Sequence, residues 1–216
     1  MKLGKFFKLR IPATPDIPLD ESPLAVLIRD RSGDQLRVEV MRAGLSALSH
    51  TMVRRARLLA LTAHATVGNA VIMEHLSMTA GFLALARADT ALIAAGWCHQ
   101  VLQDTTLPDL VVGHEVSYAT RDLVARGVVP CNIGSIVSPA EQTLALAIMA
   151  AGLLHALQTG QKDTQVLDCS HELNRSITPF SSAARHLLVL NREMAGHLAR
   201  APDQRHGHHK SSYPTA

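Results

Sequence analysis

Cys131 lies in the run Val129-Pro-Cys-Asn-Ile-Gly-Ser135, at the end of a short apolar stretch and ahead of a glycine. A thiol in that setting can act as a nucleophile, with backbone N–H groups facing a substrate. His114 would then be the base, and Asp109 or Glu115 would orient it. Nothing in the spacing requires this arrangement, and a buried inert cysteine is the commoner case. Cys98-His99 and Cys169-Ser-His171 add soft ligands that, with Cys131, would make a tetrahedral zinc site. No recognised zinc-ligand spacing is present, however, and no HExxH pair. The sequence therefore calls for no metal and no cofactor. It also lacks a glycine-rich phosphate loop, a dinucleotide fingerprint and a nucleophile elbow. A small Cys-dependent hydrolase is the weakest function these residues allow.

The strongest functional signal is the segment Met1-Lys-Leu-Gly-Lys-Phe-Phe-Lys-Leu-Arg10. Lys2, Lys5, Lys8 and Arg10 carry its positive charge, and no acid precedes Asp16. Phe6 and Phe7 are two of only four phenylalanines in the chain, so they are not incidental surface residues. On a helical wheel Leu3, Phe6, Phe7 and Leu9 gather on one side and the lysines on the other, with Arg10 falling among the apolar group. A cationic tip of this kind suits an anionic membrane surface, where each Lys or Arg contributes about 1 kcal/mol. It equally suits a groove on an acidic protein partner. The competing expectation is a tail whose Phe pair packs back onto the domain.

A second basic set is His50, Arg54, Arg57 and His64, whose spacing puts them on one face of a predicted helix. The opposite face carries the apolar stripe Leu45, Leu48, Met52, Ala56, Leu59 and Ala63. The basic face can meet lipid or nucleic-acid phosphates, or it is an ordinary solvated surface. Aromatic side chains that would stack on bases are missing nearby, so nucleic acid is allowed but not favoured.

Composition sets the frame for both signals. Hydrophobic residues make up 47 % of the chain and charged residues 18 %, against about 25 % charged in typical domains. Ala and Leu dominate the apolar set, which favours helices that pack closely. The net charge of +3 is too small to argue for nucleic acid by itself, and twelve histidines make it pH-sensitive. Three widely spaced cysteines define no disulfide framework, which predicts a reducing, cytoplasmic setting, peripheral to a membrane where the arm engages one. The basic N-terminus lacks the apolar run of a secretory signal. The apolar run 143–157 is shorter than the roughly 20 residues that span a bilayer, so it predicts a buried core helix.

These patterns divide the chain into a basic, proline-rich flexible arm at 1–23, a single mostly helical domain at 24–200 and a disordered polar, His-containing tail at 201–216. Apolar runs on either side of Ser32-Gly33-Asp34, with Leu36, Val38 and Val40 alternating, predict a hairpin over 24–40. A helix absorbing 34–42 is the alternative. From 43 to 103 the pattern is helical, with an interruption at Gly68-Asn69. A central helix is expected over 70–88, with Val71, Met78, Phe82 and Leu85 on one face. Asp89 or Thr90 caps the next, which carries Leu92, Ile93, Trp97 and Leu102. Proline and glycine punctuate 104–137, predicting an irregular or short-stranded segment. Ser138-Pro-Ala-Glu141 is a capping box that starts a helix running to about Gln158 and ending at Gly160. Thr178-Pro179 should open a last helix over 179–200, with Ala183, Leu187, Leu190, Met194 and Leu198 facing inward.

The expected fold class is mainly α, a compact multi-helix bundle with a small N-terminal β-hairpin and the irregular segment. The order of basic aromatic tip, proline-rich connector, helical core and polar tail resembles peripheral membrane assembly proteins, viral matrix proteins among them. The resemblance is one of layout and covers no motif. The expected function is a non-enzymatic structural or assembly protein: the core associates into a homo-oligomer and the arm meets a membrane or partner. So short an arm would bind weakly alone, and self-association would multiply it. The alternative is a nucleic-acid-binding or regulatory module using Arg54, Arg57 and the arm.

Overall fold

The computed structural model describes residues 33–65, 70–132, 134, 136–161 and 163–201. The basic arm, the proline-rich stretch, the first half of the expected hairpin and the tail beyond Ala201 lie outside the described residues.

The elements are α1 (Gly33–Ser46), a 3-10 turn (Ala47–Ser49), α2 (Thr51–Ala63), α3 (Ala70–Leu85), α4 (Thr90–Cys98), α5 (Val101–Asp104), α6 (Asp109–Glu115), α7 (Tyr118–Val124), α8 (Pro139–Thr159), α9 (Thr164–Ser176) and α10 (Ser182–Arg200). No strand occurs among the described residues. Helix α3 stands at the centre, packed by α1, α4 and α8. Helix α2 lies on α4, and α10 covers α8 with α9 against it. The buried side chains form one cluster that runs from Leu36 to Leu198.

Small residues let these helices approach. A Cβ on Gly44 would lie 3.2 Å from the Ser77 carbonyl oxygen, and one on Gly96 would lie 2.9 Å from Leu83 Cδ1. Glycine is therefore what permits the α1–α3 and α3–α4 crossings. Every residue of α3 from Leu76 to Leu83 is buried, as its apolar circumference predicts. Helix α8 is long and apolar enough to cross a membrane by length and composition. However, 67 % of its apolar window is buried within the fold, which fits a core helix.

Helix ends follow local chemistry. The Asp89 carboxylate accepts from the Leu92 N–H at 2.8 Å, starting α4. Ser138 and Glu141 form the expected capping box, and α8 ends on Gly160 at φ 62°. Glu141 is fully buried and accepts from the N–H groups of Val137 (2.8 Å) and Ser138 (2.9 Å), and from Arg126 at 2.7 Å. Burial alone would raise its pKa. Those donors outweigh burial and hold the carboxyl below its ordinary range. The five inward residues expected on the last helix are all buried. Beside them, buried Asn191 donates from Nδ2 to the Leu146 carbonyl at 2.9 Å, tying α10 to α8.

Several expectations need correction. The segment 36–40 is helical rather than a strand of a hairpin. Leu36 and Val40 are four residues apart and share the buried face of α1, while Val38 is 53 % exposed. A three-residue alternation fits both periods, and packing on α3 decides between them. The interval 104–137, expected as irregular or short-stranded, holds the short helices α6 and α7, while its described residues beyond Arg126 carry neither α-helix nor strand. Ser117 caps α7 by accepting from the Thr120 N–H at 3.0 Å. The helical region also breaks at Ser49-His50, between α1 and α2. The last helix starts at Ser182 rather than 179, because Ser181 provides the cap to the Ala184 N–H. Helix α9, which is polar apart from a narrow apolar stripe, was not anticipated.

Candidate functional site

The basic set on α2 does not stay together. His50 and Arg54 are exposed. Arg57 is half-buried, with its guanidinium 5.9 Å from the centre of the Trp97 ring. His64 is 3 % exposed, and neither ring nitrogen has a hydrogen-bond partner among the described residues. The buried side of α2 is Val53, Ala56 and Ala60, and His64 continues it four residues on. The helix is thus turned relative to the expected stripe, and on α1 the buried face Leu36, Val40 and Gly44 leaves the neighbouring Leu45 52 % exposed.

A surface groove of about 290 Å³ lies between α1, α2 and α3. Met41 and Leu45 come from α1, Leu61 from α2 and Met73 from α3. Leu61 is 38 % exposed. Arg37 of α1 and Glu74 of α3 close one side as an ion pair at 2.6 Å. Arg57 and Trp97 also line it. Contiguous exposed apolar side chains rimmed by charge are the usual form of a contact surface.

On the neighbouring face of α3 a pocket of about 260 Å³ opens against α8. Val71, His75 and Met78 line it from α3, with Gly152, His155 and Gln158 from α8 and Gln100 from the end of α4. Behind it lies His99, buried, with its Nδ1 3.0 Å from the Gly96 carbonyl oxygen and its ring 5.4 Å from that of His75. Burial pulls the His99 pKa down to about 3, with the nearby His75 adding to the fall and the Gly96 carbonyl opposing it. Burial, then His155, lowers His75 as well. Both rings are accordingly neutral at pH 7. No group of three or more His, Cys, Asp or Glu among the described residues is arranged to hold a metal ion.

The thiol chemistry resolves differently from the sequence expectation. Cys131 and Cys169 form a disulfide, with Cα atoms 5.1 Å apart and a separation of 38 residues. Cys131 therefore offers no free thiol, which removes the nucleophile proposed for a hydrolase. Cys98 is buried, its pKa pushed up to about 12 by burial, and its Sγ faces the Ala56 carbonyl at 3.8 Å. Such a thiol is inert. His114, the proposed base, packs edge-on to Tyr118. The three cysteines are thus divided between one bond and one core position. A further open cleft between α9 and α10 is lined by solvated charged side chains such as Asp168, Glu172 and Arg175.

Sequence reasoning missed both the groove and the pocket. The groove depends on which residues of α1, α2 and α3 the packing leaves exposed, and the pocket on which turns of α3 and α8 face one another. The excess of histidine bears on the pocket alone, through His75 and His155. Comparison with known proteins gives no family to lean on: no family model, no curated protein and no solved structure matches the chain.

Proposed function

We propose that this chain is a non-enzymatic assembly protein whose helical core associates with a second copy of itself through the groove between α1, α2 and α3. The observation that carries this reading is the convergence of Leu45 and Leu61, both substantially exposed, with Met41 and Met73 in one groove. Leaving such side chains in water forgoes about 25 cal/mol per Å² of apolar area, which contact with a partner recovers. A two-fold contact requires a self-complementary patch. Arg37, Arg57 and Glu74 supply both signs of charge around the apolar centre.

In this reading the arm at residues 1–10 contacts an anionic membrane surface or an acidic partner, with Phe6 and Phe7 as apolar anchors and Lys2, Lys5, Lys8 and Arg10 supplying attraction. The arm precedes α1 in sequence, and α1 forms one wall of the groove. Association would therefore bring two arms to one assembly and raise their joint avidity. Exposed Arg54 and His50 can add to the same attraction. In this reading the Cys131–Cys169 bond fits an oxidising setting, in place of the cytoplasmic one expected from cysteine spacing.

Light scattering tests the association, and co-sedimentation with anionic vesicles tests the arm. Full-length protein should pellet with anionic vesicles at low salt, and protein lacking residues 2–10 should stay in solution. Full-length protein that ignores such vesicles would refute the membrane role of the arm. Binding to DNA or RNA in place of vesicles would favour the nucleic-acid alternative.

A further inference from the structure

We propose that the pocket between α3 and α8 is a binding site for a small, uncharged, flat ligand that carries an amide-like donor and acceptor on one edge. This site lies beside the association groove and does not depend on it.

The walls are suited to an apolar face. Ile72 and Met78 project from α3, and Ala151 from α8. Gly152 deepens the space, because a Cβ built on it would meet nothing within 4 Å. A glycine in mid-helix is less favourable than alanine, and no packing contact here requires one. A pocket of about 260 Å³ is near the lower end of ligand sites, which limits the occupant to a single ring system or a molecule of similar bulk.

The polar groups specify the edge. Gln100 leaves its Oε1 buried without a partner, and Gln158 leaves its Nε2 buried without one. Both residues line the pocket. Each group is taken out of water without a compensating hydrogen bond, which is unfavourable. Both atoms are closed off from solvent, so each side chain must turn toward the pocket for a ligand to reach it. A ligand N–H given to Gln100 and a ligand carbonyl accepting from Gln158 would then satisfy both groups, and an amide or lactam edge offers that pair. The remaining polar lining disfavours an anion: it holds no Lys or Arg, and its second imidazole, His155, is exposed to solvent. His75 is held neutral by burial, and Glu74, which also lines the pocket, is already paired to Arg37. A cation finds no free carboxylate in that lining.

Titration of the full-length protein with benzamide, followed by amide shifts in NMR spectra, tests the assignment. Benzoate serves as the isosteric anion. Benzamide at millimolar concentration should give saturable shifts at 71–78, 100 and 151–158, and benzoate should give none there. Gln158→Leu should weaken benzamide at least about tenfold, the loss of one buried hydrogen bond. Gly152→Leu, placed where added atoms meet open space and where a helix prefers leucine, should abolish binding while keeping the melting temperature. Absence of saturable shifts with benzamide would overturn the proposal. So would equal shifts with benzoate, or shifts that persist in folded Gly152→Leu.

Discussion

Gly81 of α3 lies directly against Val40 of α1: a Cβ added to it would fall 2.7 Å from Val40 Cγ1 and closer still to the Val40 carbonyl oxygen. The carbonyl belongs to helical backbone and cannot rotate away as a side-chain tip could. Gly81→Ala should therefore destabilise the fold by about 1–3 kcal/mol through overpacking, despite the better helix propensity of alanine. Urea unfolding measures this directly. An unchanged or raised midpoint would mean that α1 does not pack on α3 at this distance.

The Cys131–Cys169 bond joins the segment before α8 to the middle of α9 across 38 residues. In the chain-entropy account, closing a loop of that length stabilises the fold by about 3–4 kcal/mol. Cys131→Ser/Cys169→Ser should lose most of that, and reduced wild-type protein should match it. Helical circular dichroism should persist below the lowered midpoint. A loss under about 1 kcal/mol, or a free thiol at Cys131 in protein purified without reductant, would contradict the bond.

Acid should weaken the protein well above the carboxylate range. His99 has a folded-state pKa of about 3, below its ordinary 6.5. Between those values the unfolded chain binds more protons, so the stabilisation is complete above pH 6.5 and is lost as pH falls toward 3. His75 is shifted in the same direction. Each group contributes a limiting slope of about 1.4 kcal/mol per pH unit. Glu141, also depressed, adds its loss only once the pH falls below its ordinary value of 4.5. Stability measured between about pH 6.5 and pH 5 therefore isolates the histidines. His99→Phe should reduce the slope in that window, leaving what His75 and the likewise lowered His186 contribute, and an unchanged slope would show that His99 is not the buried base.

Much of the fold was legible where a local rule had no competitor. Ser138, Pro139 and Glu141 satisfy three start signals at once, and Gly160 can take the left-handed conformation that ends α8. The inward positions of α10 were legible because its polar and apolar faces are cleanly separated. Segment 36–40 was not, since Leu36, Val38 and Val40 fit a strand by alternation and a helix by the spacing of Leu36 and Val40. Pairing of Cys131 with Cys169 follows from the docking of α9 beside α8, which no spacing rule encodes. The register of α2 was hidden because His64, counted with a basic face, continues the buried edge of Val53, Ala56 and Ala60, and the groove because Leu45 and Leu61 come from different helices. The pocket was hidden because Gln100 and Gln158 acquire meaning only through burial.

The assembly account stands or falls on the oligomeric state in solution. Light scattering on full-length protein over a range of concentrations should show a mass that rises to a dimer or larger assembly. Leu45→Glu/Leu61→Glu places charge at two exposed positions, so it should leave the fold and its melting temperature nearly unchanged while reducing the mass to that of a monomer. A strict monomer at every concentration, or an assembly that survives that pair of substitutions, would contradict association through this groove.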